Sequence, residues 1–388
     1  MNYISYQNWS FPTSIRYGPS RIKELPKICQ NKAINRPFIV TDKGSRDLLL
    51  IENLLDNLKK AGLEPYLYSN ISPNPRDTEI LAGKLEYRKG NHDGVIAIGG
   101  GSGMDGGKAI SLLVNNSYDI WDFEWEKKPP LINNENFFPP LICIPTTAGT
   151  GAETESSAMV TDTKLLMKWC IAHPQQKPFE VILDPELTLN LPNNLTAWTG
   201  VDALVHAIES YVIDDFHPLC DGSAIEALRL IYPNLPIVYE NPNDLSSRGK
   251  MLVGSCLAGI SFLKGLGLVH AISHMVGAEY DTQHGLTNAI VLPAVLKFNK
   301  DFIVHKISNM SEAMNLKQKD FDYFYSSICD FLDQLNIPKS LSEIGVKDTS
   351  ISRLAEKALK DSAFATNPRN ASLLEMKDLI TITLNNGR

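Results

Sequence analysis

At 388 residues the chain is long enough for two domains. With 43% hydrophobic and 21% charged residues, a net charge of −7 and a pI near 5.7, it reads as a soluble globular protein rather than a nucleic-acid binder. Met1-Asn2-Tyr3-Ile4-Ser5-Tyr6 lacks the features of a signal peptide, no apolar run reaches the roughly 18–20 residues of a membrane span, and six scattered cysteines (Cys29, Cys143, Cys170, Cys220, Cys256, Cys329) read as reduced thiols of a cytoplasmic protein.

The first half alternates strand and helix patterns. A short buried strand is expected at 37–42, ending in Asp42, then a helix at 46–61 stopped by Gly62. A strand at 65–68 and a helix at 77–90 follow, with Asp77 placed as its cap. A third strand, 93–98, runs into Gly99-Gly100-Gly101-Ser102, after which a helix carries Lys108 to Val114. A further strand is expected at 141–145. This order implies a parallel sheet with helices on both faces.

After Asp184-Pro185 the strand signals stop. Helical patterns cover 196–212, 220–232, 244–263, 268–279, 289–298, 321–335 and 349–363. The expected fold is therefore an α/β N-terminal domain with a parallel sheet (1–188) and an all-α C-terminal domain (189–388), to which the motifs below add dinucleotide binding and metal binding respectively. Ligands favour a cleft between such domains. Residues 329–388 carry no assignable motif.

Two stretches carry chemistry. Strand, glycines, then helix is a phosphate-binding arrangement: glycines admit the anion to the backbone, and the helix start favours its charge. Residues 101–106 also match G-x-G-x-x-G. Yet a Rossmann unit puts its glycines after the first strand, with an acid about 20 residues later. Here Asp42 precedes the glycines, while Asp122 and Glu124, at the nominal spacing, sit in a Trp-rich loop. The segment Pro145-Thr146-Thr147-Ala-Gly149-Thr150-Gly151 suits contact with ribose, phosphate or nicotinamide.

The second stretch, residues 200–285, holds five of the eight histidines, four of them in three short motifs. Asp202 and His206 are four apart, as are His270 and His274, so each pair shares a helix face. Imidazoles and a carboxylate on neighbouring helices make a mixed N/O site for a divalent transition metal. His284 can add a ligand from the turn after the second helix. Without a C-x-x-C pair, a structural zinc knuckle is not expected.

Together the motifs resemble the iron-containing (group III) alcohol dehydrogenase family. The likeness runs through Phe11-Pro-Thr-Ser-Ile-Arg-Tyr-Gly18, Val40-Thr-Asp42, Pro73-Asn74-Pro75, Gly99 to Lys108, Pro145 to Glu153 and Asp184-Pro-Glu-Leu-Thr188. It continues in Gly200-Val-Asp202-Ala-Leu-Val-His206, Gly267-Leu-Val-His270-Ala-Ile-Ser-His274 and Tyr280-Asp-Thr-Gln-His284-Gly.

The resemblance implies the dehydroquinate synthase-like fold of that family, with NAD and Fe²⁺ or Zn²⁺ as cofactors. It implies a metal-dependent alcohol dehydrogenase or aldehyde reductase acting on a small primary alcohol as a homodimer or larger homo-oligomer. Asp202, His206, His270 and His284 become the metal ligands, and His274 the catalytic histidine that does not ligate. Asp42 would meet the adenosine ribose and favour NAD over NADP. Asn74, Gly100, Gly101, Ser102, Asp105, Thr146, Thr147, Thr150, Lys168 and Leu187 fall on cofactor-binding positions, Asp105 by fixing the glycine loop. Rival readings are a glycerol-dehydrogenase-like or dehydroquinate-synthase-like zinc enzyme and a non-catalytic NAD- or metal-binding paralogue.

Three departures from the family pattern stand out: Met275 replaces a proline, Gly106-Gly107 replaces a small or polar pair, and Glu155 falls where many members carry Thr or Gly. Glu155 either faces solvent or lies near the nicotinamide, where a carboxylate would disfavour an anionic substrate.

Overall fold

The computed structural model describes Trp9, residues 13–132 and residues 137–388. Residues 1–6, read for a signal peptide, and residues 11–12, at the opening of the family resemblance, lie outside the described residues. The chain divides into two compact units. One comprises Phe11–Thr147 with Ala152–Asn190, the other Ala148–Gly151 with Leu191–Arg388.

Among the described residues, the first unit holds eight strands: β1 (Ser14–Tyr17), β2 (Pro37–Asp42), β3 (Tyr66–Ile71), β4 (Gly94–Gly99), β5 (Leu141–Pro145), β6 (Ser157–Asp162), β7 (Met167–Ala172) and β8 (Glu180–Leu183). Its α-helices are α1 (Leu25–Asn31), α2 (Leu49–Lys60), α3 (Asp77–Lys89) and α4 (Gly101–Leu113). Six strands form a parallel sheet in the order β1-β8-β5-β4-β2-β3. Every residue of β4 and β5 is buried, which explains why these strands read as apolar runs and not as alternations. Ile39, Ile96, Ile98, Ile142, Ile144 and Ile182 pack with Ile28 of α1 and Leu54 and Leu58 of α2 in one core. The intervening Val40 and Ala97 meet α4, so helices cover both faces.

The Gly106-Gly107 departure has a steric cause. A β-carbon on Gly107 would lie 2.5 Å from the Ala97 side chain, and one on Gly106 would lie 2.7 Å from Ile71. Helix α4 therefore rides unusually close on the sheet, and larger residues would push its N-terminus away from the strand ends.

Four sequence expectations change. Helix α2 begins at Leu49, later than expected. Asp77 is the first residue of α3 and not its cap; the Glu79 side chain instead accepts from Arg76 N at 3.2 Å. The antiparallel hairpin β6–β7 went unread because its turn offers no glycine signal, the positive φ falling on Leu166. Strand β8, a four-residue run, also went unread.

The second unit is helical: α5 (Asn193–Val212), α6 (Pro218–Glu240), α7 (Leu245–Ser261), α8 (Leu268–Tyr280), α9 (His284–Ala313), α10 (Phe321–Gln334), α11 (Ile351–Ala358) and α12 (Leu373–Asn386). Helix α6 passes through Pro233 and Pro236, where the sequence suggested an earlier stop. Helix α9 starts five residues before the expected 289, because Gln283 caps it by accepting from Leu286 N at 2.6 Å. His284 is thus the first residue of a helix, not part of a turn. Helix α12 went unread although Ser372 and Glu375 form a capping box. No single helix among the described residues is long and apolar enough to cross a membrane.

Candidate active site

In the α/β unit the sheet order resolves the puzzle of an acid that precedes its glycines. Strand β2 lies directly beside β4, parallel to it, so Asp42 and Gly99 end side by side. A β-carbon on Gly99 would lie 3.1 Å from Asp42 Oδ2, and the φ of +139° there is one that side-chain-bearing residues rarely adopt. Ser45 donates to Asp42 through its N–H (3.0 Å) and its hydroxyl (2.8 Å), which fixes the carboxylate at the rim of the loop.

Gly100 caps α4, and Gly101 and Ser102 open its first turn, whose N–H groups have no partner within the helix. Thr147 packs against Gly100, and its buried hydroxyl has no partner among the described residues. Thr146 N donates to Gly99 O at 2.9 Å, tying β5 to the loop. The Ser102 hydroxyl donates to Pro73 O, and Lys168 Nζ reaches the adjacent Asn74 Oδ1 at 3.4 Å, so these three expected contacts cluster. An open helix N-terminus beside an orphaned hydroxyl and a lysine fits the phosphates of NAD.

The other expected cofactor positions lie elsewhere in the two units. Asp105 accepts from Met159 N at 3.2 Å and pairs with Lys108 at 3.2 Å; Lys108 also donates to the carbonyls of Ala152 and Ser157. Both side chains serve the scaffold under the loop. Leu187 is partly buried against the apolar core. Thr150 groups with the helical unit. Asp122 accepts from Asp119 N at 3.0 Å in a short turn, and Glu124 pairs with Lys127; both are occupied locally.

Glu155 does not face solvent: it is 4% exposed. Burial pushes its carboxyl up to about 7, against the opposing pull of Lys108 and Lys177.

In the helical unit three helices supply the metal-type cluster. Asp202 and His206 come from α5, His270 from α8 and His284 from α9; one ligand atom of each lies within 4.8 Å of every other. Asp202 Oδ1 stands 3.8 Å from His206 Nε2, 4.0 Å from His270 Nε2 and 3.7 Å from His284 Nε2. His206 and His270 stack with ring centroids 4.7 Å apart. The close crossing of α9 over α5 depends on Gly285, where a β-carbon would lie 2.2 Å from Trp198 O. Burial, with His270 beside it, holds His206 well below the ordinary imidazole range, so the ring is neutral. A neutral ring is what ligation requires. One carboxylate and three imidazoles, largely sealed from water, fit a divalent transition metal.

His274 does not join the four. Its Nδ1 bonds Asp361 Oδ2 at 2.9 Å, and its ring stacks on His284 with centroids 5.4 Å apart.

Three contributors escaped the sequence reading. Glu209 accepts from His270 Nδ1 (2.6 Å), Gly267 N (3.0 Å) and Val269 N (2.8 Å), so it orients a cluster imidazole and caps α8 together. Its position seven after Asp202 puts it on the same face of α5, a signal that was there to read. Asn288, four after His284, was legible in the same way. Asp361 was not, since 87 residues separate it from His274.

Residues 12–185 match the iron-containing alcohol dehydrogenase family, and residues 196–384 match the C-terminal part of the Fe-containing alcohol dehydrogenase family. The chain is 33% identical to the 1,3-propanediol dehydrogenase of Citrobacter freundii, over 97% of this chain and 99% of that one. It is 34% identical to the NAD-dependent methanol dehydrogenase of Bacillus methanolicus, over 96% and 98%. Among solved structures, a 1,3-propanediol oxidoreductase aligns with TM-score 0.89 at 33% identity, covering 96% of this chain and 98% of that one. The sulfoacetaldehyde reductase of Bifidobacterium kashiwanohense in complex with NAD⁺ aligns at 0.86 and 27%, covering 98% and 99%. With both halves matched and a third of its residues shared over nearly its whole length, the chain belongs to the iron-containing alcohol dehydrogenase family, as an oxidoreductase that interconverts alcohols and aldehydes with NAD and a metal ion.

Proposed function

We propose that the chain oxidises small, uncharged primary alcohols and reduces the matching aldehydes, with Asp202, His206, His270 and His284 holding the metal and His274 handling the proton. The observation that carries this is the convergence of those four ligand atoms within 4.8 Å. When bound, the metal supplies Lewis acidity toward the substrate oxygen and NAD supplies the hydride acceptor.

The protein's own residues do the rest. Glu209 takes the His270 Nδ1 proton in a hydrogen bond, which leaves Nε2 as the lone-pair nitrogen facing the cluster. Asp361 does the same for His274, leaving Nε2 of that ring to accept the alcohol proton and return it to the aldehyde. The carboxylate also favours the imidazolium that forms in between. The open N–H groups of α4 and the Thr147 hydroxyl bind the pyrophosphate, and Asp42 disfavours a 2′-phosphate. Asn74, Gly100, Gly101, Ser102, Thr146, Thr150, Lys168 and Leu187 complete the cofactor contacts, with Asp105 bracing the loop. Glu155, placed by the family resemblance near the nicotinamide, disfavours anionic substrates. The six scattered cysteines, read as reduced thiols, support a reducing cytoplasm as the working compartment, and the family resemblance supports a homodimer or larger homo-oligomer.

The test is to purify the protein without air, determine its metal, and follow NADH oxidation with short aldehydes after reloading the stripped protein with Fe²⁺ or Zn²⁺. Metal-dependent turnover that peaks at one chain length supports the reading. A His270→Ala variant that kept full turnover with no bound metal would remove it.

A further inference from the structure

Asn288 is fully buried, one turn after His284 on α9. Its Nδ2 lies 2.7 Å from Asp202 Oδ1, 3.1 Å from His270 Nε2 and 3.1 Å from His284 Nε2. Its Oδ1 is buried without a hydrogen-bond partner among the described residues. An amide NH₂ has two hydrogens, and Asp202 Oδ1, the His270 Nε2 that Glu209 leaves bare and, in its Nδ1–H tautomer, His284 Nε2 surround it as acceptors. The opposite amide orientation would press an oxygen against the first two, so the nitrogen assignment follows from the surroundings.

These three acceptors belong to the four-residue ligand cluster. An imidazole nitrogen that accepts has a single lone pair, so it gives that pair to the amide or to a metal, not to both. A carboxylate oxygen has lone pairs enough for both. Glu209 fixes the His270 tautomer that makes Nε2 the acceptor. A residue kept only for packing would not leave an amide oxygen buried and unpaired, since that costs more than an apolar side chain of similar shape.

We infer that Asn288 is the metal's stand-in: its amide bridges the ligand atoms when no metal is bound, releases both imidazoles on loading, and keeps only Asp202. The inference rests on the ligand assignment proposed above. Without such a donor, a carboxylate and three imidazoles would crowd their lone pairs together in a dry pocket. Asn288 therefore stabilises the metal-free protein more than the loaded one. It keeps the cluster assembled for entry, and it holds the affinity below what the four ligands would reach unopposed.

The test compares wild type with Asn288→Ala, each stripped by chelator and reloaded with Zn²⁺. Thermal melting is recorded for both forms, and the Zn²⁺ Kd is measured by competition with a chromophoric chelator. Relative to wild type, the variant's stripped form should lose several degrees more than its loaded form does, and its Kd should tighten about threefold to tenfold, the loss of one or two neutral hydrogen bonds. An equal fall in both forms, or a Kd unchanged or weaker, overturns the inference. Should the variant not fold, the side-chain amide of Asn288 in wild type, labelled with ¹⁵N-asparagine, gives the answer. Its resonance should shift on Zn²⁺ loading, and a resonance that stays in place is the contrary result. If wild type binds no metal, the ligand assignment itself fails and takes this inference with it; if wild type binds and the difference is missing, this inference fails alone.

Discussion

Replacing Glu155 by glutamine should reverse a pH penalty built into the α/β unit. The carboxyl is 4% exposed, with a weak bond from Thr154 Oγ1 at 3.3 Å and with Glu153, itself 1% exposed, alongside. Of the two cations that act on it, Lys108 is already committed to Asp105 and two carbonyls. Burial dominates and lifts the carboxyl from the usual 4.5 to about 7. Between those values the folded state binds more protons than the unfolded one, so stability falls as pH rises through this window and levels off above it. At about 1.4 kcal/mol for each pH unit of the window, the loss amounts to roughly 3 kcal/mol. Glutamine keeps the shape and cannot ionise. The variant should exceed wild type by less than about 1 kcal/mol near pH 5 and by roughly 3 kcal/mol, several degrees in melting temperature, above pH 8. The assay is thermal or denaturant unfolding of both proteins across pH 5–9. A stability difference that stays flat across that range would refute the assignment of a buried, reluctant acid.

Three further outcomes are expected. Asp42→Asn keeps an acceptor for the Ser45 N–H and turns the second bond round, its amide donating to the Ser45 hydroxyl, but removes the charge, so the preference for NADH over NADPH in kcat/KM should fall by about tenfold or more. Glu209→Gln should weaken metal binding about 10- to 100-fold in a chelator competition, because the His270 tautomer loses its fixing carboxylate. Asp361→Asn should lower kcat about 10²- to 10⁴-fold and displace the pH profile of kcat, with metal content unchanged; a loss confined to KM would leave His274 without its proposed role.

The sequence carried whatever depended on local spacing. Asp202 and His206 share a face because they are one turn apart, and the strand at 37–42 announced itself by composition. Where a partner came from elsewhere in the chain, spacing was silent. Residues 329–388 offered no motif, yet they supply Asp361 to His274, and Asn367, whose Oδ1 accepts from Leu268 N at 3.1 Å at the start of α8. His284 was placed in a turn because Gln283 is not among the usual capping residues. The hairpin β6–β7 was lost because Leu166, not glycine, takes the left-handed position. The position of Asp42 before the glycines looked irregular until strand order set β2 against β4.

The outermost pairing of the parallel sheet has a consequence for synthesis. Among the described residues strand β1 pairs only with β8, Ser14 opposite Glu180, 166 positions along the chain. At about 5–20 residues per second, the ribosome needs roughly 8–33 s after making β1 to deliver its neighbour. Through that interval β2, β3, β4 and β5 can already associate, while β1 waits as an unpaired segment and β5 presents an open edge where β8 belongs. The nascent chain is most prone to misassembly in that window, so slowing translation between β5 and β8 should lengthen chaperone occupancy, whereas slowing it after residue 190 should not.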